Sequence, residues 1–215
     1  MPRRSAADAA RTRSGILVEA RRLFAEQGYA ATTTSQIAEA AGVTVGALFH
    51  HFDGKAGLFR DVFRQLEDEL DAHVRETAGP EGSAEAIEVF LAGFRAYLEF
   101  ARKKDFHRIV MLDGPVVLGE EEWHGFDARR GATTLMEGLE LLVAEGVIED
   151  RPLKPLGLLL VGAMSEAGFQ VARGARKKDL DGLIEAMRYL LTSHLDGKRP
   201  RGGASKGPAR AGRKA

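Results

Sequence analysis

The sequence predicts an all-α protein, a three-helix unit followed by a larger helical part, and three observations carry that expectation. Apolar residues recur three and four positions apart along nearly the whole span 11–195, the spacing of amphipathic helices. No convincing strand pattern and no internal repeat interrupts them. The stretch Gly28–Phe59 packs helix starts and helix stops so closely that it reads as two short helices joined by a tight turn, the helix-turn-helix pattern.

Residues 1–10 are small, polar and basic and are expected to form a disordered arm. A first helix, Arg11–Gln27, has the stripe Ile16, Leu17, Ala20, Leu23 and Phe24 and stops at Gly28. Thr33-Thr34-Ser35-Gln36 fits a capping box, with Thr33 as the cap and Gln36 reaching back to it. Ile37, Ala38 and Ala41 form the inner face of this second helix, and Gly42 is placed to end it through a left-handed conformation. Thr44 caps the third helix. Leu48 and Phe52 face inward, which leaves Val45, Gly46, Ala47, Phe49 and His50 for the outer face. Asp53 is expected to cap a long fourth helix with the stripe Leu58, Phe59, Val62, Phe63, Leu66 and Leu70. Thr77–Gly82 is the clearest break in the chain. Further helices are expected over Ser83–Lys103, Asp105–Leu112, Glu120–Glu145, Pro155–Arg173 and Asp179–Leu195, about nine in all. A turn is expected at Asp113-Gly-Pro115. The expected division is an arm 1–10, a DNA-binding unit 11–55, a second unit 56–196 and a disordered basic tail 197–215.

The chain has 215 residues, 44% of them hydrophobic, enough for a sizeable core. It has no cysteine, which excludes disulfides, thiolate metal sites and a cysteine nucleophile. The basic start lacks the apolar run of a secretory signal. Leu156–Ala172 is the most apolar stretch, but Glu166 and Gln170 mark it as a buried helix and not a membrane span. The zero net charge hides an asymmetry: residues 1–60 carry +3, residues 61–196 carry −10 and residues 197–215 carry +7. Two basic ends around an acidic middle suit contact with a polyanion at the ends.

The run GYAATTTSQIAEAAGVTVGALFHHFDGKAGLF, with ILVEARRLFAEQGY before it, is very similar to the DNA-binding domain of TetR-type bacterial transcriptional repressors. The match covers roughly residues 13–63. It departs at Phe49, where the family usually has a Tyr whose hydroxyl reaches a phosphate. GPVVLGEEEWHGFDARRGATTLMEGLELLVAEGVI, with LLLVGAMSEAGFQVA after it, resembles a common C-terminal domain of the same repressors, which holds an effector pocket and a dimer interface.

On these grounds Thr33, Thr34, Thr44, His51 and Lys55 are candidates for the DNA backbone, because helix N-termini offer free N–H groups to anions. Val45, Gly46, Ala47 and His50 are candidates for the groove, and Phe49 is a DNA-contact candidate at the place of the family's phosphate-reaching Tyr. Val45 and Ala47 can touch a thymine methyl but donate no hydrogen bond, so sequence choice leans on His50, on second-helix side chains such as Ser35 and Gln36, and on DNA shape. The plainer reading is capping and packing. His50 and His51 point about 100° apart on a helix, which disfavours a shared metal, and Glu120, Glu121, His124 and Asp127 read as a solvated helix start; no metal or cofactor is expected.

The resemblance implies a pocket, for which Phe94, Tyr97, His107, Met111, Trp123, Phe126, Arg130 and Met164 are the candidates; the alternative for the aromatic residues is ordinary core. Small residues on the eighth helix and an apolar face on the ninth point to a homodimer. The expected protein is a cytoplasmic, ligand-responsive repressor that binds a pseudo-palindromic operator of double-stranded DNA, with no membrane association. The competing readings are an activator, a broad nucleoid-type binder and, with no catalytic set in view, an enzyme.

Overall fold

The computed structural model describes residues 6–79, 85–119, 122–123 and 131–196. Among the described residues there is no strand. The elements given bounds among the described residues are nine α-helices and one π-helix: α1 (Ala6–Ala31), α2 (Thr34–Ala40), α3 (Val45–His51), α4 (Gly54–Ala78), α5 (Ala86–Ala101), the π-helix (Phe106–Asp113), α6 (Gly114–Leu118), α7 (Gly131–Ala144), α8 (Leu153–Ala172) and α9 (Lys177–Asp196).

α1 starts at Ala6 and not at Arg11, so residues 6–10 belong to the helix and not to the expected arm. Asp8 supplies an acid to the first turn and pairs with Arg11, which suits the positive end of the helix. Gly28 breaks α1 as expected, with φ 83° and ψ 167°, a conformation essentially restricted to glycine. One more turn then runs to Ala31.

Two other local expectations are corrected. Asp53 precedes α4 but makes no side-chain cap, because its ψ of 75° is far from the extended geometry a capping side chain needs. Asp113-Gly-Pro115 is not a turn: the π-helix runs into α6 with Pro115 in its first turn, where a missing N–H costs nothing.

The buried side chains fall into two clusters. The first joins α1–α4 to the end of α5 and to Phe106, Ile109, Val110 and Met111 of the π-helix. The second joins α5, α7, α8 and α9 through residues such as Phe90, Leu139, Leu160 and Ile184. α4 and α5 pack along each other and connect the two. The sequence reading of α8 as a buried helix is also corrected. α8 is long and apolar enough to cross a membrane by composition, and 28% of that stretch is buried. Leu158 and Leu159 are 74% and 72% exposed on it, and Tyr189 and Leu190 of α9 are 69% and 62% exposed.

Candidate functional site

The helix-turn-helix is built by its caps. Thr33 Oγ1 accepts from the Gln36 backbone N–H at 3.2 Å while Gln36 Oε1 accepts from the Thr33 N–H at 2.8 Å, so the capping box is complete. Gly42 takes a φ of 65° and its N–H reaches Glu39 O, closing α2. Thr44 Oγ1 accepts from the Ala47 N–H at 3.1 Å and starts α3. Leu48 and Phe52 are buried in one cluster with Ile16, Leu17, Phe24 and Ile37. That packing turns Val45, Gly46, Phe49 and His50 outward, all exposed, while Ala47 and His51 are half-buried on the flanks. Thr33, Ser35 and Thr44 are exposed beside them and Thr34 is half-buried. The His50 and His51 rings lie 5.4 Å apart. Among the described residues no group of His, Asp or Glu is placed to hold a metal ion.

Lys55, a candidate for the DNA backbone, is also tied into the protein. Its Nζ donates to Tyr29 O and to Thr32 O, each at 2.9 Å, and lies 4.1 Å from the centre of the Tyr29 ring. Thr32 is fully buried, and its hydroxyl donates to Gly28 O at 2.8 Å. On the other side of this junction the π-helix closes a clasp. The Tyr29 N–H donates to Asp113 Oδ2 at 2.7 Å, and Arg108 Nε approaches the same oxygen at 3.3 Å. Arg108 lies against the bare Cα of Gly28, where a Cβ would fall 1.9 Å from its Nη2. Arg21 of α1 adds a brace, donating to Asp105 beside the π-helix and to Glu69 of α4, each at 2.8 Å.

The second feature is a cavity of about 300 Å³ between α4, α5, the π-helix, α7 and α8. Of the expected pocket residues, Phe94, Tyr97, Met111, Trp123 and Met164 line it. Trp123 is held there by a 3.0 Å hydrogen bond from its indole N–H to Val110 O. His107 does not line it: Phe106, Val110 and Met111 are the π-helix side chains that face the cavity. His107 is half-buried instead. Burial first, then the charges of Arg173 and Arg108, hold its pKa below the ordinary 6.5. Phe126 and Arg130 lie outside the described residues, as do Glu120, Glu121, His124, Asp127 and the tail.

Sequence reasoning missed the polar side of the cavity. Glu67 lines it and is 8% exposed. Arg75 Nε donates to Asp71 Oδ2 at 3.1 Å, its Nη1 meets Glu137 at 2.9 Å, and its Nη2 donates to Thr134 Oγ1 at 2.9 Å. One signal was present in the chain: Glu67 stands inside the apolar stripe of α4, four residues after Phe63 and three before Leu70. A carboxylate at such a position is rarely buried without a purpose.

An exposed helix-turn-helix on a helical body with an internal cavity defines a class of DNA-binding regulators. Comparison with known families agrees. Residues 16–62 match the bacterial regulatory proteins of the tetR family, and residues 87–194 match the tetracyclin repressor-like C-terminal domain. The chain belongs to the TetR family of transcriptional regulators, whose members are typically repressors. It is 41% identical over 70 residues to the HTH-type transcriptional regulator AcrR of Shigella flexneri, covering 33% of each chain. It is 44% identical over 64 residues to the transcriptional repressor KstR2 of Rhodococcus jostii, covering 30% of this chain and 31% of that one. With the regulator SrpR of Pseudomonas putida it shares 33% identity over 114 residues, 53% of this chain and 52% of that one. The chain thus spans about a third to a half of the length of these curated relatives. A solved TetR-family regulator from Pectobacterium atrosepticum superposes with a TM-score of 0.68 at 30% identity, covering 92% of this chain and 100% of that one. RolR in complex with resorcinol superposes with a TM-score of 0.67 at 16% identity, covering 94% and 100%, a likeness of fold.

Proposed function

We propose that this protein is a ligand-responsive repressor that binds a pseudo-palindromic operator as a homodimer and leaves it when a small molecule fills the cavity. One observation carries the reading: α4 and the π-helix both wall the cavity and both hold the base of the helix-turn-helix. On DNA, Val45, Gly46, Phe49 and His50 face base edges, with Ala47 at the margin. Thr33, Thr34, Ser35, Thr44 and His51 lie along the backbone. Lys55 spends two of its three N–H donors inside the protein and keeps one for a phosphate. The Phe49 ring is 53% exposed but carries no donor, so the groove surface is poor in polar readers and DNA shape contributes to the choice.

Dimerisation uses α8 and α9. Leu158, Leu159, Gly162 and Ala163 form one exposed stripe, and Gly182, Ala186, Tyr189 and Leu190 another. Apolar stripes of this kind call for a partner, and a second copy supplies the second recognition helix that a two-fold operator needs. A ligand acts by binding one state of the dimer better than the other. Displacement of Val110 or Met111 reaches Asp113, two to three residues further along the same π-helix, and through it Tyr29 and Gly28 of α1. The fold neighbour that holds resorcinol supports a small-molecule role for the cavity. No catalytic role is proposed, and the site of action is the cytoplasm, with the DNA.

Selection from a random DNA pool at physiological salt tests the reading. Enrichment of an inverted repeat that binds as one dimer supports it. Even coating of all sequences, with no enriched repeat, would make the protein a general DNA binder.

A further inference from the structure

We propose that Glu122 and Trp123 form a strut that carries the state of the cavity to α4, with Glu122 and Arg60 as positioning residues outside both the cavity lining and the reading helices. The inference rests on reading the cavity as the effector site and names a path by which its occupant reaches the helix-turn-helix. Glu122 and Trp123 share one helical turn, anchored by the Trp123 N–H to Gly119 O at 2.9 Å. Adjacent side chains on a helix point about 100° apart, so one reaches the cavity and the other reaches α4.

Trp123 is the inner prong. It lines the cavity, and its indole N–H donates to Val110 O at 3.0 Å. That carbonyl has a particular need. In π-helical register it would take the N–H of the residue five positions on. Residue 115 is proline, which has no N–H to give, and the indole supplies a donor in its place. The bare Cα of Gly114 makes room for the ring: a Cβ there would fall 3.0 Å from Trp123 Cδ1 and 3.0 Å from Cε2 of Phe63 on α4. An occupant that presses on the indole therefore presses on the Val110 bond, the start of α6 and Phe63 together.

Glu122 is the outer prong. Its Oε1 accepts from Arg60 Nε at 2.5 Å and its Oε2 from Arg60 Nη2 at 3.1 Å, the planar two-point pairing that fixes orientation as well as distance. Neither residue lines the cavity. Arg60 stands five residues after Lys55 on α4, and Lys55 Nζ holds Tyr29 O and Thr32 O. A displaced indole is thus one peptide unit away from a pull on the end of α4 that supports the helix-turn-helix.

Coupling between two sites is reciprocal, so operator binding must be felt at Trp123, and no effector is needed to see it. Trp123 is the only tryptophan of the chain and lines the cavity, so its fluorescence reports on the strut. Acrylamide quenching is measured on the full-length protein alone, at saturation with an operator duplex recovered by selection, and with a scrambled duplex. The operator, and not the scrambled duplex, is expected to change the quenching. Glu122→Gln keeps the shape and removes the charge, and it should lose most of that change at saturating operator. Arg60→Glu should lose it likewise, and Arg60→Glu combined with Glu122→Arg should restore it, with thermal melts showing every variant folded. A Trp123 indifferent to operator would overturn the proposal, as would a full response in Glu122→Gln or a double variant no better than the single ones. Release of operator by 1-decanol from the wild-type protein, alongside any of those three results, would leave the effector reading standing with the strut removed.

Discussion

In the helix-turn-helix the defining contacts span three residues of chain, whereas the cavity is assembled from side chains as far apart as Phe63 and Phe169. Thr33 with Gln36, and Thr44 with Ala47, fix α2 and α3 from within. The reading surface is therefore a rigid block whose shape changes little when the body moves. The cavity has no such local scaffold. Its walls belong to α4, α5, the π-helix, α7 and α8, and a shift of any one of them alters its shape. The contrast teaches where regulation can act: on the placement of the rigid block, through the Gly28–Tyr29 junction where Lys55, Arg108 and Asp113 converge.

The largest expected effect comes from separating the two copies without touching either region. Gly162 is exposed on α8, and a Cβ there would meet nothing within 4 Å. Gly162→Arg should yield a folded monomer with an unchanged thermal melt. Operator affinity should fall by about two orders of magnitude or more, because linked half-sites gain roughly 10²–10⁴ from joint binding. A sedimentation profile that still showed a dimer would place the interface elsewhere.

Cutting the clasp should come next. Asp113→Ala leaves the Tyr29 N–H without its acceptor, a loss of about 1.5–3 kcal/mol for a bond to a charged group. Urea melts should show that loss. The ligand-dependent change in DNA affinity should shrink more than ligand binding itself; an undiminished response would show that α4 alone carries the signal.

A local lesion should stay local. Thr44→Ala removes the α3 cap and should cost about 1 kcal/mol of stability, together with weaker DNA binding, while the response of Trp123 to a bound molecule stays as it was. A change in ligand affinity would mean that the reading block is less independent of the cavity than its contacts indicate.

The smallest effect concerns His107. Burial and the charges of Arg173 and Arg108 depress its pKa below 6.5, so the folded state binds this proton less readily than the unfolded chain. The stability it contributes is full above about 6.5 and declines as pH falls through the lower folded value. His107→Gln should therefore flatten the loss of stability on the acid side of pH 6.5, measured by melts across that range. An identical acid profile in the variant would show that the His107 environment is hydrated.

How much of this was legible in the chain follows the same division. Caps, the Gly28 and Gly42 stops and the inward Leu48 and Phe52 are properties of short segments, and the structure shows them where the sequence placed them. Asp53 failed as a cap because capping depends on a backbone angle that residue type does not set. The π-helix was read as an ordinary helix, since apolar spacing distinguishes the two poorly over eight residues. The cavity was legible only in part. Phe94, Tyr97, Met111, Trp123 and Met164 line it, but the Asp71–Arg75–Glu137 group joins α4 to α7 across the fold, and no local pattern announces such a meeting. The internal bonds of Lys55 were not legible either, because its acceptors, Tyr29 O and Thr32 O, are backbone atoms more than twenty residues away in the chain.

The central claim is that cavity occupancy repositions two rigid reading blocks within a dimer. Because the chain has no cysteine, an Ala40→Cys variant carries one spin label per copy, on the exposed end of α2. The measurement is the distance between the labels with operator bound, and again after a cavity-binding molecule is added. The account predicts a single narrow distance on the operator, set by recognition helices about 34–36 Å apart or a multiple of that, and a shifted distribution once DNA is released. Release of DNA with the distance unchanged, or no measurable distance between copies, would contradict it.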